Sequence, residues 1–182
     1  MAHINVPDGV PGIRSLVMFR PESGQHLYAL AQALLRGGDS SLSEAERELI
    51  AAYVSSKNDC MFCTSSHAAA ARYFFHDKRK IVDLVLENYH TAEISDKLKS
   101  LLNIAGKVQE SGKAVHEEDI AAARKYGATD REIHDTVLIA ATFSMFNRYV
   151  DGLATLTPTD QSTYDEMGIR MAEKGYVLPN PD

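Results

Sequence analysis

Apolar residues recur at helical spacing along almost the whole chain, and this pattern constrains the fold more than any other feature. Between residues 22 and 36, for example, the positions i, i+3, i+4 and i+7 are held by Leu27, Leu30, Ala31 and Leu34. We find no strand-like alternation of apolar and polar residues longer than about four residues. The sequence therefore predicts an all-α protein, a bundle of helices.

Signals for the start and end of helices divide this pattern into segments. Two capping boxes, Ser43-x-x-Glu46 and Thr129-x-x-Glu132, each mark the beginning of a helix. Asp59 is expected to cap a further helix that begins at Cys60. The predicted helices are 22–36, 43–56, 60–75, 81–87, 95–110, 117–126, 129–153 and 160–174.

The first 21 residues differ from the rest of the chain. They contain Pro7, Pro11 and Pro21, with Gly9 and Gly12 between them. Clustered prolines and glycines are typical of turns and extended segments, so residues 1–21 are expected to form an extended arm. The length of 182 residues, with 45% hydrophobic and 24% charged residues, suits a single domain over 1–182.

The charge of the chain limits the classes of partner. A net charge of −6 argues against nucleic acid or an anionic membrane surface as the main partner. No apolar run approaches the roughly 18 residues that a membrane span needs, and the first residues lack the layout of a signal peptide. We therefore expect a cytoplasmic protein without a membrane partner.

One short motif carries most of the functional information. The two cysteines of the chain stand in the segment Cys60-Met61-Phe62-Cys63-Thr64-Ser65-Ser66-His67. On a helix, positions i, i+3 and i+7 lie on one stripe roughly 60° wide, so both thiols and the imidazole of His67 share a face. In a reducing cytosol, a CxxC pair is more often catalytic or metal-binding than a structural disulfide.

The position of this motif suits thiol chemistry. Both cysteines stand near the expected helix start, where the helix dipole favours a thiolate. His67 lies one turn beyond Cys63, within reach as a base or as a cationic partner. Two cysteines three residues apart can also form a disulfide, so that Cys60 can resolve an oxidised Cys63.

Glu48 is the carboxylate best placed to face this motif. The three-residue turn Lys57-Asn58-Asp59 favours folding the two helices back on each other, which brings Glu48 near the level of His67. Its face continues as Ala51, Ala52 and Ser55, which are small enough for the helices to approach closely. A carboxylate there can take the thiol proton through His67 or a water molecule.

The set Glu48 and Cys60-x-x-Cys63-x-x-x-His67 resembles the active-site signature of the AhpD-like alkylhydroperoxidases, within the carboxymuconolactone decarboxylase superfamily. The resemblance implies that Cys63 attacks peroxide, that Cys60 is its disulfide partner, and that His67 and Glu48 relay the proton. It also implies an AhpD-like all-α fold that assembles into homo-oligomers, commonly trimers or hexamers. It calls for no cofactor and no metal.

The sequence departs from the best-known AhpD proteins at one position. Those proteins have a second histidine just before the second cysteine, and Phe62 stands there instead. With an aromatic residue at this position, the sequence resembles a subgroup called peroxidase-related proteins. The segment 146–151 also resembles that subgroup; its residues Asn147, Arg148 and Asp151 are expected to form hydrogen bonds on a helix face or a subunit contact.

The leading hypothesis is a thiol peroxidase or disulfide reductase that acts on hydrogen peroxide or organic hydroperoxides. A cellular dithiol or disulfide reductase would return the electrons. One alternative is a decarboxylase of lactone acids, whose chemistry does not require a thiol pair. A second alternative is a non-enzymatic protein that senses redox state or binds zinc through Cys60, Cys63, His67 and Glu48.

Overall fold

In a computed structural model of the protein, residues 2–38 and 40–178 are described. The structure is 73% helical, and within these ranges it contains no strand, which confirms the predicted all-α class. The predicted domain 1–182 also includes Met1, Asp39 and residues 179–182, which lie outside this part, and the single domain stays a prediction. The α-helices are α1 Gly12–Phe19, α2 Pro21–Arg36, α3 Glu44–Lys57, α4 Met61–Phe75, α5 Lys80–Asn88, α6 Asp96–Glu110, α7 Glu117–Lys125, α8 Asp130–Gly152 and α9 Gln161–Lys174.

Both predicted capping boxes are present. Ser43 Oγ accepts a hydrogen bond from the backbone N–H of Glu46 at 3.2 Å, and Glu46 Oε2 accepts one from the Ser43 N–H at 2.9 Å. Thr129 and Glu132 repeat the arrangement at the start of α8. Because the capping box pairs N–H groups that a helix leaves free, these two helix starts are fixed by local sequence.

The expected extended arm is wrong over part of its length. Residues 12–19 form α1, and its Leu16 and Val17 are buried. Pro11 precedes the helix in an extended conformation, and the Gly12 N–H donates to the carbonyl oxygen of Leu156 at 2.9 Å. Proline is favoured at the start of a helix as well as in turns, and here Pro11 and Pro21 mark the starts of α1 and α2.

The turn between α3 and α4 also differs in detail from the prediction. Asp59 has φ +56°, and Cys60, in an extended conformation, takes the N-cap position of α4. A hairpin with so short a connection needs one residue in the left-handed region, which aspartate tolerates better than most residues. The Cys60 N–H donates to the Ser55 carbonyl oxygen at 3.1 Å and so closes the turn.

Helix α3 lies at the centre of the fold, where it packs against α4, α6 and α8. The small residues Ala51 and Ala52 on α3 are fully buried, which allows the close approach expected for this hairpin. Helix α9 packs on the other side of α4. At Gly168 an added Cβ would lie 2.7 Å from the Cβ of Ala69, so α9 and α4 touch almost backbone to backbone.

Among the helices between residues 12 and 174, none combines the length and the apolar character that crossing a bilayer requires.

Candidate functional site

A buried carboxylate–imidazole pair joins the two helices of the central hairpin. Glu48 Oε2 on α3 lies 2.7 Å from His67 Nδ1 on α4, and Glu48 is fully buried. The short turn between the two helices predicts that these residues lie at the same level, and the structure brings them into contact. A carboxylate and an imidazole at this distance form a unit that can hold and move a proton.

Two further side chains bind the other oxygen of Glu48. Arg36 Nη2 and the hydroxyl of Tyr176 each donate to Oε1, both at 2.6 Å. Arg36 Nη2 also donates to the carbonyl oxygen of Met171 at 3.0 Å. Its guanidinium carbon lies 4.8 Å from the centre of the Phe74 ring and 5.2 Å from that of Tyr176, so the cation sits between two aromatic rings.

These partners decide the charge of Glu48. Burial alone would raise the pKa of its carboxyl group, but the charge and hydrogen bond of His67, the charge of Arg36 and the hydrogen bond of Tyr176 together lower the pKa below its ordinary value. Glu48 is therefore an anion at neutral pH, although water does not reach it.

The charge of Glu48 in turn fixes the tautomer of His67. An ionised carboxylate only accepts hydrogen bonds, so His67 Nδ1 carries the proton of the 2.7 Å contact. The Tyr176 oxygen is 3.3 Å from the same nitrogen, but the phenol proton is directed to the carboxylate. The edge of Phe143 packs against the imidazole, with the ring centres 4.5 Å apart. In the neutral imidazole, Nε2 is left as a hydrogen-bond acceptor.

The two cysteines lie at the start of α4, one turn before His67. Both are free thiols and both are buried, with exposed fractions of 0% for Cys60 and 3% for Cys63. Their apolar neighbours include Val150 of α8 and Tyr164 of α9. The thiols are thus close together in a dry environment, without a disulfide between them.

The electrostatic surroundings of Cys63 contradict the expectation that the helix start favours a thiolate. The neighbouring Cys60 thiol and burial raise the pKa of Cys63 well above its ordinary value, and the charge of Asp151 adds to this effect. Asn147 acts in the opposite direction but does not outweigh them. Burial removes the solvent that would stabilise a thiolate, and the first turn of α4 does not compensate for it.

Cys60 and Cys63 stand at the start of α4, and His67 lies one turn beyond Cys63. Of the hydrogen bonds formed within residues 2–38 and 40–178, none joins either thiol to His67. His67 is four positions beyond Cys63, which corresponds to about 6 Å along the helix axis. The role of His67 as the base for Cys63 therefore stays a prediction.

Asn147, which the sequence analysis singles out without a firm role, belongs to a buried hydrogen-bond network. Asn58 donates to Asn147 Oδ1 at 2.8 Å, and Asn147 Nδ2 donates to Ser55 Oγ at 3.0 Å. Gln109 donates to the Asn58 side chain at 2.9 Å. This network ties α8 and α6 to the turn that carries Cys60, which confirms the expected helix-face hydrogen bonds for Asn147.

A cavity of about 420 Å³ opens beside His67. Its wall combines apolar and charged side chains, and it includes neither cysteine. Phe62, at the position of the family histidine, lines the cavity with its ring packed against the Cα of Gly12. The other lining residues include Ile13, Arg14, Tyr28, Ser66, Glu166, Met167, Arg170, Met171 and Tyr176.

Zinc binding, one of the alternatives, would require the side chains of Cys60, Cys63, His67 and Glu48 to converge on one metal ion. Across residues 2–38 and 40–178, no group of three or more His, Cys, Asp or Glu side chains is placed to hold a metal ion. Glu48 and His67 are directed at each other, and Glu48 is already bound by Arg36 and Tyr176.

Comparisons with known proteins agree with this architecture. The family model described as the carboxymuconolactone decarboxylase family matches residues 21–88, which contain both cysteines, Glu48 and His67. An uncharacterized peroxidase-related protein from Silicibacter sp. TM1040 has 29% sequence identity and a TM-score of 0.76, over 86% of this chain and 79% of that one. The alkylhydroperoxidase AhpD core of an uncharacterized peroxidase-related protein from Ralstonia eutropha JMP134 has 30% identity and a TM-score of 0.76, over 87% of this chain and 81% of that one.

The chain belongs to the AhpD-like family of the carboxymuconolactone decarboxylase superfamily. A third AhpD-like structure, from Agrobacterium tumefaciens, was described as a protein of unknown function and a candidate for antioxidant defence. It has 18% identity and a TM-score of 0.68, over 88% of this chain and 100% of that one, and at this identity it supports the fold alone. No curated protein matches the chain.

Within this AhpD-like chain, sequence reasoning missed two members of the site, Arg36 and Tyr176. Arg36 is the last residue of α2, where a cation is unremarkable because it suits the helix dipole. Tyr176 lies 128 residues beyond Glu48 and outside any helix. Neither residue stands at a spacing from the CxxC motif that would have indicated a role.

Proposed function

We propose that this AhpD-like protein is a thiol peroxidase that reduces hydroperoxides through Cys63 and Cys60. The observation that carries the proposal is the arrangement of α4: two adjacent buried thiols, followed one turn later by an imidazole paired with a buried carboxylate. The thiols supply the two electrons that peroxide reduction needs, and the pair supplies a place for the proton.

The reaction proceeds in three balanced steps. His67 Nε2 takes the proton of the Cys63 thiol, and the thiolate sulfur attacks the terminal oxygen of the hydroperoxide. The O–O bond breaks and releases an alkoxide. The alkoxide takes the proton from His67 and leaves as an alcohol. Cys63 is now a sulfenic acid. The Cys60 sulfur attacks it, an S–S bond forms and water leaves. An external dithiol then reduces the disulfide by exchange and becomes a disulfide itself.

Formation of the thiolate is the demanding step in this environment. Because the pKa of Cys63 is raised, the proton must be removed in the course of the attack. A side-chain or helix-start movement that brings the sulfur to His67 Nε2 is part of the proposed mechanism. The first turn of α4, with Cys60 at its N-cap, is the segment that would move.

The cavity beside His67 points to an organic hydroperoxide as the substrate. Its volume of about 420 Å³ is far larger than hydrogen peroxide requires, and apolar side chains such as Ile13 and Met167 line it. Arg14 and Arg170 on the wall would favour a substrate with an anionic group, although Glu166 lies among them. The alkyl group would occupy this cavity, with the peroxide end toward α4.

Assembly, reductant and location belong to the same proposal. We propose a homo-oligomer, trimeric or hexameric, in which exposed apolar side chains such as Met145, Leu156 and Ile169 contribute to the contact. A cellular dithiol or disulfide reductase serves as electron donor, and the cytoplasm is the proposed location. Light scattering on the purified protein tests the assembly, and a monomer at micromolar concentration would contradict it.

Peroxide turnover in matched variants tests the activity. Consumption of cumene hydroperoxide is followed with dithiothreitol as the reductant in the wild type, Cys63→Ser and Thr64→Ser. Thr64 is the neighbour of Cys63 on α4 and plays no part in the proposed reaction. The proposal expects turnover in the wild type and in Thr64→Ser, and its loss in Cys63→Ser. Full turnover in Cys63→Ser would overturn it.

One observation favours a second candidate function. The cavity opens on His67 but not on either thiol, and two arginines contribute to its wall. An imidazole–carboxylate base beside a cavity with cationic groups suits proton transfer on a carboxylate-bearing substrate, such as the decarboxylation of a lactone acid. Activity on a carboxylactone that survives the double change Cys60→Ser and Cys63→Ser would establish this function instead.

A further inference from the structure

We propose that Tyr176 is a positioning residue for the Glu48–His67 pair. Its hydroxyl fixes the carboxylate so that Oε2 faces the imidazole, which keeps its proton on Nδ1 and presents Nε2 for proton transfer. The inference rests on the proposed function for its catalytic consequence. The structural part of the inference is that a residue beyond α9 determines where the imidazole of His67 holds its proton. This part can be tested without measuring any activity.

The hydroxyl of Tyr176 donates its proton to Glu48. Its hydroxyl lies 2.6 Å from Glu48 Oε1, which is as short as the contact from Arg36 Nη2 to the same oxygen. Burial of the hydroxyl is the largest cause that raises the pKa of Tyr176 well above its ordinary value, and the negative charge of Glu48 adds to it. The phenol therefore keeps its proton throughout the physiological range and remains a donor to the carboxylate.

The backbone holds Tyr176 at this place. Gly175 ends α9 with φ +66°, a conformation that favours glycine, and its N–H donates to the Met171 carbonyl oxygen at 3.0 Å. The next N–H, that of Tyr176, donates to Gln32 Oε1 at 2.8 Å. A Cβ at position 175 would clash with the Gln32 side chain. The segment is thus fastened to α2, with the phenol directed inward.

The Tyr176 ring also shapes the space around the imidazole. It lies nearly parallel to the His67 ring, with an interplanar angle of 14° and ring centres 6.1 Å apart. Both rings line the cavity. Tyr176 therefore contacts the pair through its hydroxyl and borders the substrate cavity through its ring.

Counting the donors shows what the hydroxyl contributes. The carboxylate of Glu48 has three donors: Arg36 and Tyr176 at Oε1, and His67 at Oε2. Removing the phenol leaves Arg36 as the only donor at Oε1 among these three. The carboxylate then becomes a stronger acceptor for His67 and stabilises the imidazolium form, which cannot act as a base.

Several charged and titratable groups surround this network from the neighbouring elements. Arg36 Nε on α2 lies 3.7 Å from Glu44 of α3. Other groups near the network include Arg47 on α3 and Tyr28 on α2, and the cavity wall beside His67 adds Arg14, Glu166 and Arg170. A tyrosine-to-phenylalanine change at position 176 leaves all of these in place, so a change in the NMR signals of the His67 ring would report the lost hydroxyl.

The decisive experiment compares Tyr176→Phe with Tyr73→Phe. Tyr73 is a matched control, because its hydroxyl also contacts a carboxylate, that of Glu173 at 3.2 Å, but on the surface. The ¹H–¹⁵N NMR spectrum of the His67 ring is recorded against pH in the wild type and both variants. Peroxide turnover against pH is measured in parallel.

In Tyr176→Phe, we expect the ¹⁵N chemical shifts of His67 Nδ1 and Nε2 at neutral pH to depart from those of the wild type in the direction of the imidazolium form. We expect kcat at neutral pH to fall about tenfold with little change in KM, and raising the pH to recover part of it. Tyr73→Phe should match the wild type in both measurements. Unchanged ¹⁵N shifts of the His67 ring in folded Tyr176→Phe overturn the inference, whatever the turnover. Changed ring shifts in a protein that never reduces peroxide uphold the inference and contradict only the proposed function.

Discussion

Glu48 and His67, on the two helices of the central hairpin, meet through a contact of 2.7 Å between Oε2 and Nδ1. Each oxygen of the carboxylate is bound, and one partner is the buried guanidinium of Arg36. A buried anion with these partners is costly to remove, because its partners lose the charge that compensates them. The pair therefore connects the stability of the fold to the proposed chemistry.

The change Glu48→Gln should destabilise the protein by about 3–5 kcal/mol, because it leaves the Arg36 guanidinium buried without an anion at 2.6 Å. Urea unfolding measures the free energy. Glu44→Gln is the matched control, since the Glu44 side chain is 41% exposed and its carboxylate lies farther from Arg36, at 3.7 Å from Nε. Its effect should stay below about 1 kcal/mol. Equal effects of the two substitutions would contradict the importance assigned to Glu48.

Stability should fall in acid, partly through Glu48. Its pKa is lowered in the folded protein, so the unfolded chain binds the proton more tightly. The contribution of Glu48 is thus fully present above its ordinary value of 4.5 and is lost as pH falls through the lower folded value. Carboxyl groups with lowered pKa values elsewhere act in the same direction; these are Asp119, Glu132, Asp135 and Asp160.

Unfolding free energy measured from pH 7 down to pH 3 tests this sign. We expect the wild type to lose stability below about pH 4.5 and Glu48→Gln to lose less over the same interval. A steeper loss in the variant than in the wild type would show that Glu48 does not have a lowered pKa.

Helix α9 should be sensitive to the size of residue 168. A Cβ added at Gly168 would lie 2.7 Å from the backbone carbon of Ala69, so Gly168→Ala must push α9 away from α4 at a cost of about 1–3 kcal/mol. Gly152→Ala is the control, because a Cβ there meets nothing within 4 Å and alanine favours a helix. Thermal unfolding should show a lower Tm for Gly168→Ala alone, and equal Tm values would argue against this packing.

The pKa of Cys63 should depend on Cys60. The neighbouring Cys60 thiol is the largest cause of the raised pKa, ahead of burial. In Cys60→Ala, the thiolate absorbance of Cys63 near 240 nm should therefore appear at lower pH than the later of the two thiolate steps of the wild type. Cys63→Ala provides the comparison that isolates Cys60. A Cys63 titration that is unchanged by the loss of Cys60 would refute the assigned cause.

The central hairpin shows how much of the site local sequence can predict. The Ser43–Glu46 capping box fixes the start of α3, and the small residues after Glu48 allow close packing. The helical period then places Glu48 level with His67. These features depend on residues within about 20 positions of one another, on two helices whose rise per residue is regular and known.

The parts that sequence could not predict depend on tertiary placement. Tyr176 reaches Glu48 because Gly175 ends α9 with a positive φ and Gln32 binds the next N–H. The raised pKa of Cys63 follows from the neighbouring Cys60 thiol and from burial, in part against side chains of α8 and α9, and the position at a helix start did not predict it. The helix after Pro11 was missed because proline marks both turns and helix starts.

The most direct test of the central claim is the intact mass and free-thiol count after one equivalent of cumene hydroperoxide, in the wild type and in Cys60→Ser. The account predicts the loss of two hydrogens and of both thiols in the wild type, through a disulfide between Cys60 and Cys63. In Cys60→Ser it predicts a sulfenic acid on Cys63, which dimedone traps. Unchanged mass and unchanged thiols in both proteins would contradict the claim that Cys63 and Cys60 form a peroxide-reducing pair.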